Sequence, residues 1–469
     1  YYRDLTAAND GLLSEDLSDF NLAKGTTNFT LNGGRNEYAI MGWFYRAAYD
    51  YKGKYLAEVN GRYDGTSRFP RGKRYGFFPS FSAAYRISEE AFFEPLRKTV
   101  DNLKIRLSYG SLGNQQIGYY DFIQTITTKG SMGDYSFDGT ILGQHATVSD
   151  PVSGNQTWEK VISKNLGADL NMFSNRLSLT ADFYIRDTKG ILGKGKSLPS
   201  IYGANEPQVN SNNLRTKGYE LVLGWRDSFK LAGSTFSYGI TGTFSDYTAE
   251  YTKCDNPSGL IGGPYVGKKY GEIWGYKVDG LFRNDEEAAE YASRVDLSKV
   301  AAGYYSATGA YGKGVRGGDI KYLDLDGSGI VDGGKGTLED PGDRRVIGNS
   351  SPRYQYGLTL NLSWYGFDLS VFMQGIGRLD WYPGADNLRF WGPYSRPYAT
   401  FIPKNFMSQV WSESNPDAYL PRARAYTSLN STQGTAYYTN DRYLQNLAYC
   451  RLKNLTLGYT IPCLLYTSD

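Results

Sequence analysis

Period-two alternation of apolar and polar residues runs through this chain from end to end, and nothing else in the sequence restricts its fold as much. Leu103, Ile105, Leu107 and Tyr109 alternate with Asn102, Lys104, Arg106 and Ser108. Leu177, Leu179, Ala181, Phe183 and Ile185 alternate with Ser178, Thr180, Asp182 and Tyr184, and Leu358, Leu360, Leu362 and Trp364 with Thr359, Asn361 and Ser363. The pattern recurs near 38–49, 54–64, 77–87, 119–128, 160–173, 214–226, 235–249, 366–375 and 451–461. Side chains alternate across a strand, so each run predicts a strand with one apolar and one polar face. There are roughly a dozen runs of about 10–14 residues, longer than the 5–6 usual in globular sheets and matched to tilted strands crossing a bilayer.

No apolar stretch is long enough for a membrane-crossing helix, and a mean hydropathy of −0.49 carries no information about a β-barrel, in which half of each strand faces water. Connections alternate between short ones, such as 49–55, 173–176 and 364–368, and long ones, about 250–352 and 376–440. That asymmetry belongs to outer-membrane barrels. Trp43, Tyr45, Tyr109, Trp225, Trp364, Tyr365 and Tyr459 stand at run ends, where interface girdles form. A soluble β-sandwich or propeller, serving as a glycan-binding or glycan-cleaving protein, remains the alternative on the residues alone. Helical pattern is confined to 284–295.

Several activities are excluded. The single histidine, His145, rules out a His-based zinc cage within this chain, and Cys254, Cys450 and Cys463 form no CxxC pair. There is no GxSxG, P-loop or HExxH motif, and acid pairs such as Asp182/Asp187 or Glu286/Glu287 are what any chain with 48 acids contains. A net charge of +3 argues against nucleic acid, even though Arg68, Arg71, Lys73 and Arg74 cluster beside Phe69 and Tyr75. No enzyme activity is expected.

Collinear motifs then add a resemblance. GRYDGTSRFPRGKRYGFFPSFSAAYRISEE (61–90) and LKIRLSYGSLGNQQI (103–117) are followed by TWEKVISKNLGADLNMFSNRLSLTADFYIRDTKGIL (157–192) and LRTKGYELVLGW (214–225). GEIWGYKVDGLF (271–282), GDIKYLDLDGSGIVD (318–332), DRRVIGNSSPRYQYGL (343–358) and YCRLKNLTLGYTIP (449–462) complete the order. Together they resemble the middle-to-late barrel of SusC-like (RagA/SusC) TonB-dependent outer-membrane transporters. The resemblance implies an all-β fold, part of a transmembrane antiparallel barrel that has 22 strands and an N-terminal plug in full-length relatives. Residues 1–462 are expected to be a partial barrel with long extracellular loops, and 463–469, CLLYTSD, a non-native tail. The plug, the TonB box and other strands of the family are expected to lie outside this chain.

The same resemblance implies import of large nutrients, glycans or peptides, through the outer membrane. A SusD-like surface lipoprotein would act as lid and the TonB–ExbB–ExbD complex would supply energy. Within the loops, WYPGADNLRFWGPYSRPY (381–398) offers Trp381, Tyr382, Trp391 and Tyr394 as flat faces for substrate or lid.

No cofactor is called for, with one exception. Asp324-Leu-Asp326-Gly-Ser328-Gly-Ile330-Val-Asp332 matches the front of an EF-hand-type calcium loop. Calcium takes six to eight oxygens around a tight turn. Asp324, Asp326 and Ser328 would give side-chain oxygens, Ile330 its carbonyl, and Asp332 a direct or water-mediated contact. The twelfth position is Lys335 rather than an acid, so Asp343 would have to return across the intervening stretch. An Asp/Gly-rich turn without an ion is the competing reading.

Overall fold

The computed structural model describes residues 2–8, 30–129, 136–137, 140–141, 145–196, 198–305, 314–396, 398, 400, 402–424, 429 and 434–461. The expected tail at 463–469 lies outside the described residues.

Eleven strands form the main sheet: β1 (Ile40–Tyr51), β2 (Tyr55–Thr66), β3 (Tyr75–Arg86), β4 (Val100–Asn114), β5 (Glu159–Met172), β6 (Leu177–Lys194), β7 (Gln208–Leu231), β8 (Ser234–Lys253), β9 (Arg353–Trp364), β10 (Phe367–Arg378) and β11 (Tyr449–Tyr459). Each pairs antiparallel with its neighbour in this series, so the sheet is a pure meander. Among the described residues it does not close: β1 and β11 each pair on one side only.

A meander sends alternate connections to opposite ends. Residues 52–54, 87–99, 173–176, 232–233 and 365–366 lie at one end, and the described residues of 67–74, 115–158, 195–207, 254–352 and 379–448 at the other. The tightest turns use left-handed backbone at both central positions, Ala232/Gly233 (φ 48° and 85°) and Tyr365/Gly366 (φ 50° and 78°). That backbone matches the twist of the flanking strands. The two turns are tied together, since the Tyr365 hydroxyl donates to the Ala232 carbonyl.

The faces of the sheet are inverted relative to a soluble protein. Phe44 is 77% exposed and Leu457 71%, and Leu107, Phe183, Leu223 and Leu455 are also open. The opposite face carries charge: Arg106 binds both Asp169 (2.9 Å) and Asp182 (3.0 Å). Two further pairs, Arg215–Asp187 (2.7 Å) and Arg353–Asp246 (2.5 Å), stand in register with the apolar face, at its end toward the long connections. An apolar outer face over a charged inner one is a lipid-facing wall around a wet lumen. A soluble sandwich would bury the apolar face, and this sheet does not.

Aromatic contacts fall in two tiers. Near the short turns lie Tyr55–Tyr85, Phe173–Trp225, Phe229–Phe236 and Phe367–Tyr459. Toward the long connections lie Trp43–Tyr63–Tyr75 and the chain Phe183–Tyr219–Phe244–Tyr354. Along β6, Leu177 sits across from Trp225 and Phe183 across from Tyr219. Six residues at about 3.3 Å each put roughly 20 Å of strand between these tiers.

One expected strand is not in the wall. From the 119–128 run only Ile126–Lys129 is extended, and it pairs with His145–Val148 within the 115–158 connection. The wall has no vacancy there, because β4 and β5 pair directly from Glu159/Asn114 to Met172/Val100.

The hydrophobic core lies in the loops. Residues of 254–352 (Phe282, Leu297, Val300, Tyr304, Ile320, Tyr322, Val331) and of 379–448 (Trp391, Tyr394, Trp411, Leu420, Tyr443) form one buried cluster. Backbone bonds stitch the two connections, Tyr276 N–H to the Thr439 carbonyl (2.8 Å) and Arg422 N–H to the Gly318 carbonyl (2.7 Å). Helix α1 (Asp285–Ala292) occupies the segment with helical pattern. Its Asn284 cap accepts from Glu287 N–H (2.8 Å) and its first turn is acidic, both favourable at a helix N-terminus. We call this body the loop lobe.

Candidate functional site

The four aromatics of 381–398 divide sharply in placement. Trp391 is 0% exposed; its indole N–H donates to the Pro383 carbonyl (3.1 Å) and its ring stands edge-on to Tyr443 at 5.0 Å. Tyr394 is 2% exposed and donates to the Pro421 carbonyl (2.5 Å). Tyr382 packs against the same cluster, donates to the Tyr438 carbonyl (3.0 Å) and accepts from Asn440 Nδ2 (3.3 Å). Burial pushes both phenols well above the ordinary tyrosine range. Trp381 is 36% exposed, held by backbone pairing with Gln445. The rings of Trp391 and Tyr394 thus face other rings of the lobe, and that of Trp381 reaches solvent.

The acidic loop folds around Asp343. Its Oδ1 accepts from Leu325 N–H (2.6 Å) and Asp326 N–H (3.3 Å), its Oδ2 from Asp332 N–H (2.9 Å), and the stretch between 332 and 343 loops out. Carboxylate oxygens of Asp324, Asp326 and Asp343 come within 4.8 Å of one another; Asp332 is not among them and turns to Gly334 N–H (2.7 Å). Asp324 caps Gly327 (2.8 Å) and Gly329 (2.9 Å), and Asp326 caps Ser328 (2.9 Å). The Ser328 hydroxyl donates to the Ile330 carbonyl (3.0 Å). Burial raises the Asp343 carboxyl, partly offset by its amide donors, whereas the Ser328 amide lowers Asp326. Three converging carboxylates suit a hard cation. The amide caps give the turn a second means of closure.

The basic–aromatic hairpin is an anchor. Arg68 lies over Tyr38 (4.2 Å) and Tyr119 (4.9 Å) and donates to the Gln115 and Ile117 carbonyls (3.3 Å each). Arg74 donates to the Phe69 carbonyl (3.1 Å), and the Trp158 indole to the Arg74 carbonyl (2.9 Å). Phe69, Phe78 and Trp158 close a small core beneath. Arg68 and the Arg74 carbonyl thus tie the hairpin to the 115–158 connection, a role that needs no phosphate partner.

One feature shares only Tyr382 with the site residues read from the sequence. A chamber of about 540 Å³ opens where the two long connections meet, between Trp274, Tyr382, Tyr437 and Tyr438, with Lys335 and Arg344 on its wall. Trp274 and Arg344 belong to motifs already noted, IWGYK and DRRVIG. Only the antiparallel pairing of Glu272–Tyr276 with Arg344–Asn349 brings those motifs together.

A meander with an apolar outer face, charged inner face, short turns at one end and a structured lobe at the other defines the wall of an outer-membrane β-barrel. The comparisons agree and are more specific. The chain is 26% identical over 464 residues to TonB-dependent receptor P3 of Formosa agariphila, covering 96% of this chain and 41% of that protein. It is 23% identical over 439 residues to TonB-dependent receptor SusC of Bacteroides thetaiotaomicron, covering 91% and 38%. The RagAB peptide importer in its "open-open" state superposes with a TM-score of 0.70 at 20% identity, covering 97% of this chain and 44% of that one. No family model matches. The chain is therefore SusC-like along nearly all of its length, and it spans about two fifths of the curated relatives it matches (38–43%). Those relatives are receptors and transporters, not enzymes.

Proposed function

We propose that this chain supplies wall strands and an extracellular lobe to a TonB-dependent importer of large nutrients, with glycans or oligosaccharides as the first substrate class and peptides as the second. The observation that carries the reading is the inverted sheet with its core displaced into the long connections. Such a chain holds a lobe over a pore and offers little to a soluble binding role. A SusD-like lipoprotein would dock on the lobe, and TonB–ExbB–ExbD would act through other parts of the full-length protein. Trp381, with its exposed ring, is the member of the 381–398 set suited to contact substrate or lid. Trp391, Tyr394 and Tyr382 would set the shape of that surface from beneath. The full-length protein should fractionate with the outer membrane, migrate differently on gels before and after boiling, and co-purify a surface lipoprotein. Recovery as a soluble protein with no outer-membrane fraction overturns the reading.

Calcium at the 324–343 turn is part of the proposal, supported by the convergence of Asp324, Asp326 and Asp343. Affinity would be weak, on the order of 10⁻⁴–10⁻³ M as in extracellular modules, given Ser328 and Lys335 where acids would strengthen binding. The intact transporter should melt higher in millimolar calcium than in chelator, and the Asp324→Ala/Asp326→Ala double variant should lose that difference. Equal melting of the wild type in both conditions leaves a turn closed by its own amides.

A further inference from the structure

The chamber between the two long connections has a chemistry that sharpens the proposed function. Its volume, about 540 Å³, lies within the ~300–1,000 Å³ of small-molecule sites. Tyr437 is exposed and stands edge-on to Tyr438 at 5.4 Å, so rings line the chamber at different angles. The Tyr382 and Tyr438 hydroxyls are spent on backbone carbonyls, which fixes those two rings in place.

The charge on the wall is more telling. Arg344 donates from Nη2 to the Gly333 carbonyl (2.7 Å), while its Nε is buried and has no hydrogen-bond partner in the structure. Neither Arg344 nor Lys335 forms an ion pair among the described residues. Two acids of the same turn, Asp332 and Asp343, accept backbone amides of Gly334, Leu325 and Asp332 instead. That Nε is closed to solvent, so an anion in the chamber would meet the rest of the guanidinium, which lines the wall without a counter-charge. The turn is also shaped for this guanidinium. A Cβ at Gly333 or Gly336 would lie 3.0 Å from it, so these two glycines let Arg344 lie flat against the backbone. Arginine's planar fork suits a carboxylate or another oxyanion, and a lysine adds a mobile second charge.

We propose that this chamber binds an acidic sugar residue of the transported nutrient, a uronate or sulfated unit, with Arg344 and Lys335 on the anionic group and Trp274 and Tyr437 against the ring. The inference rests on the importer reading given above and narrows it from large nutrients to anionic glycans. Aromatic faces combined with two unpaired cations favour a charged sugar over a neutral one, and flat ring surfaces favour a sugar over an extended acidic peptide.

The test uses the full-length transporter with its lipoprotein, purified in detergent, and titration calorimetry with defined probes. These are oligogalacturonates, sulfated chondroitin oligosaccharides, their carboxyl-reduced or desulfated counterparts, and an oligoglutamate peptide. At least one acidic glycan should bind tenfold or more tightly than its neutralised counterpart. Arg344→Gln should remove that preference, and Arg344→Lys should restore part of it. Circular dichroism and unchanged lipoprotein association establish that the variants are folded. Loss of the preference across the whole panel, or a preference insensitive to Arg344→Gln, overturns the inference. Oligoglutamate binding with the same Arg344 dependence and no glycan binding also overturns it, in favour of acidic peptides. A transporter that inserts and imports but shows no charge preference fails this inference alone. One that neither inserts nor imports fails the importer reading.

Discussion

Trp391→Ala should unfold the loop lobe while leaving the wall intact. Removing a fully buried tryptophan costs about 3–5 kcal/mol, from lost transfer energy and from the cavity left behind. The lobe has little to spare against such a loss, since domain stabilities are only about 5–15 kcal/mol. Hydrogen exchange in the intact transporter should show faster exchange across 276–331 and 382–443, the two segments that share the core, with unchanged protection in β4–β8. Lid association and uptake would fall as a consequence. A variant with wild-type lobe protection and selectively weakened substrate binding would instead make Trp391 a binding platform. The same comparison at Trp381, which is partly exposed, should give the opposite pattern: little change in exchange, and a change in lid or substrate binding.

The second large effect is expected at the Asp319–Arg424 pair. Both side chains are buried and meet at 2.6 Å, with the guanidinium also 4.0 Å over the ring of Tyr304. Asp319→Ala leaves that guanidinium without its counter-charge inside the lobe, at a cost of about 3–5 kcal/mol. Asp319→Asn keeps a hydrogen-bonding group in place and should cost less. The pair also carries a pH signature. Burial pushes the Asp319 carboxyl up to about 6, with Arg424 and the Arg316 amide opposing the rise. A folded value above the unfolded one means that the folded lobe binds the proton more readily. This group's contribution is therefore full below the unfolded carboxylate range and is lost as pH rises through about 6. Between pH 7.5 and 5, wild-type lobe stability should rise relative to that of Asp319→Asn. Parallel pH profiles for the two proteins would show that the pair stays ionised throughout.

The wall was legible in the sequence because both of its solvents are uniform. Lipid on one side and water on the other impose strict alternation, so Leu103–Tyr109 or Leu177–Ile185 announces a strand without reference to any partner. The 119–128 run shows the limit of that signal: alternation fixes a strand's faces and not its neighbour, and this one found His145–Val148. The lobe was far less legible. It joins irregular segments as distant as Tyr276 and Asp441, whose amide donates to the Tyr276 carbonyl, and no period marks such positions. Tryptophan and tyrosine in a loop read the same whether they stack on a sugar or on one another. The buried Trp391 and the open Tyr437 differ only in long-range packing. The calcium-type spacing in turn describes a tight Asp/Gly turn whether or not an ion completes it. Asp343's approach could be anticipated from the DRRVIG motif, whereas Asp332's rotation toward Gly334 could not.

The shared core of the two long connections bears on how such proteins diversify. Gene exchange that replaced 254–352 with the segment of a relative of different diet would remove Tyr322, whose hydroxyl donates to the Thr435 carbonyl, and Asp319, the counter-charge of Arg424. Each half carries the complement of the other. Recombination within this region is therefore penalised unless the crossover points lie in β8 and β11, outside both connections. The two segments should then travel through descent as a single heritable cassette, mounted on a wall whose own pairing, strand to next strand, is indifferent to the cargo.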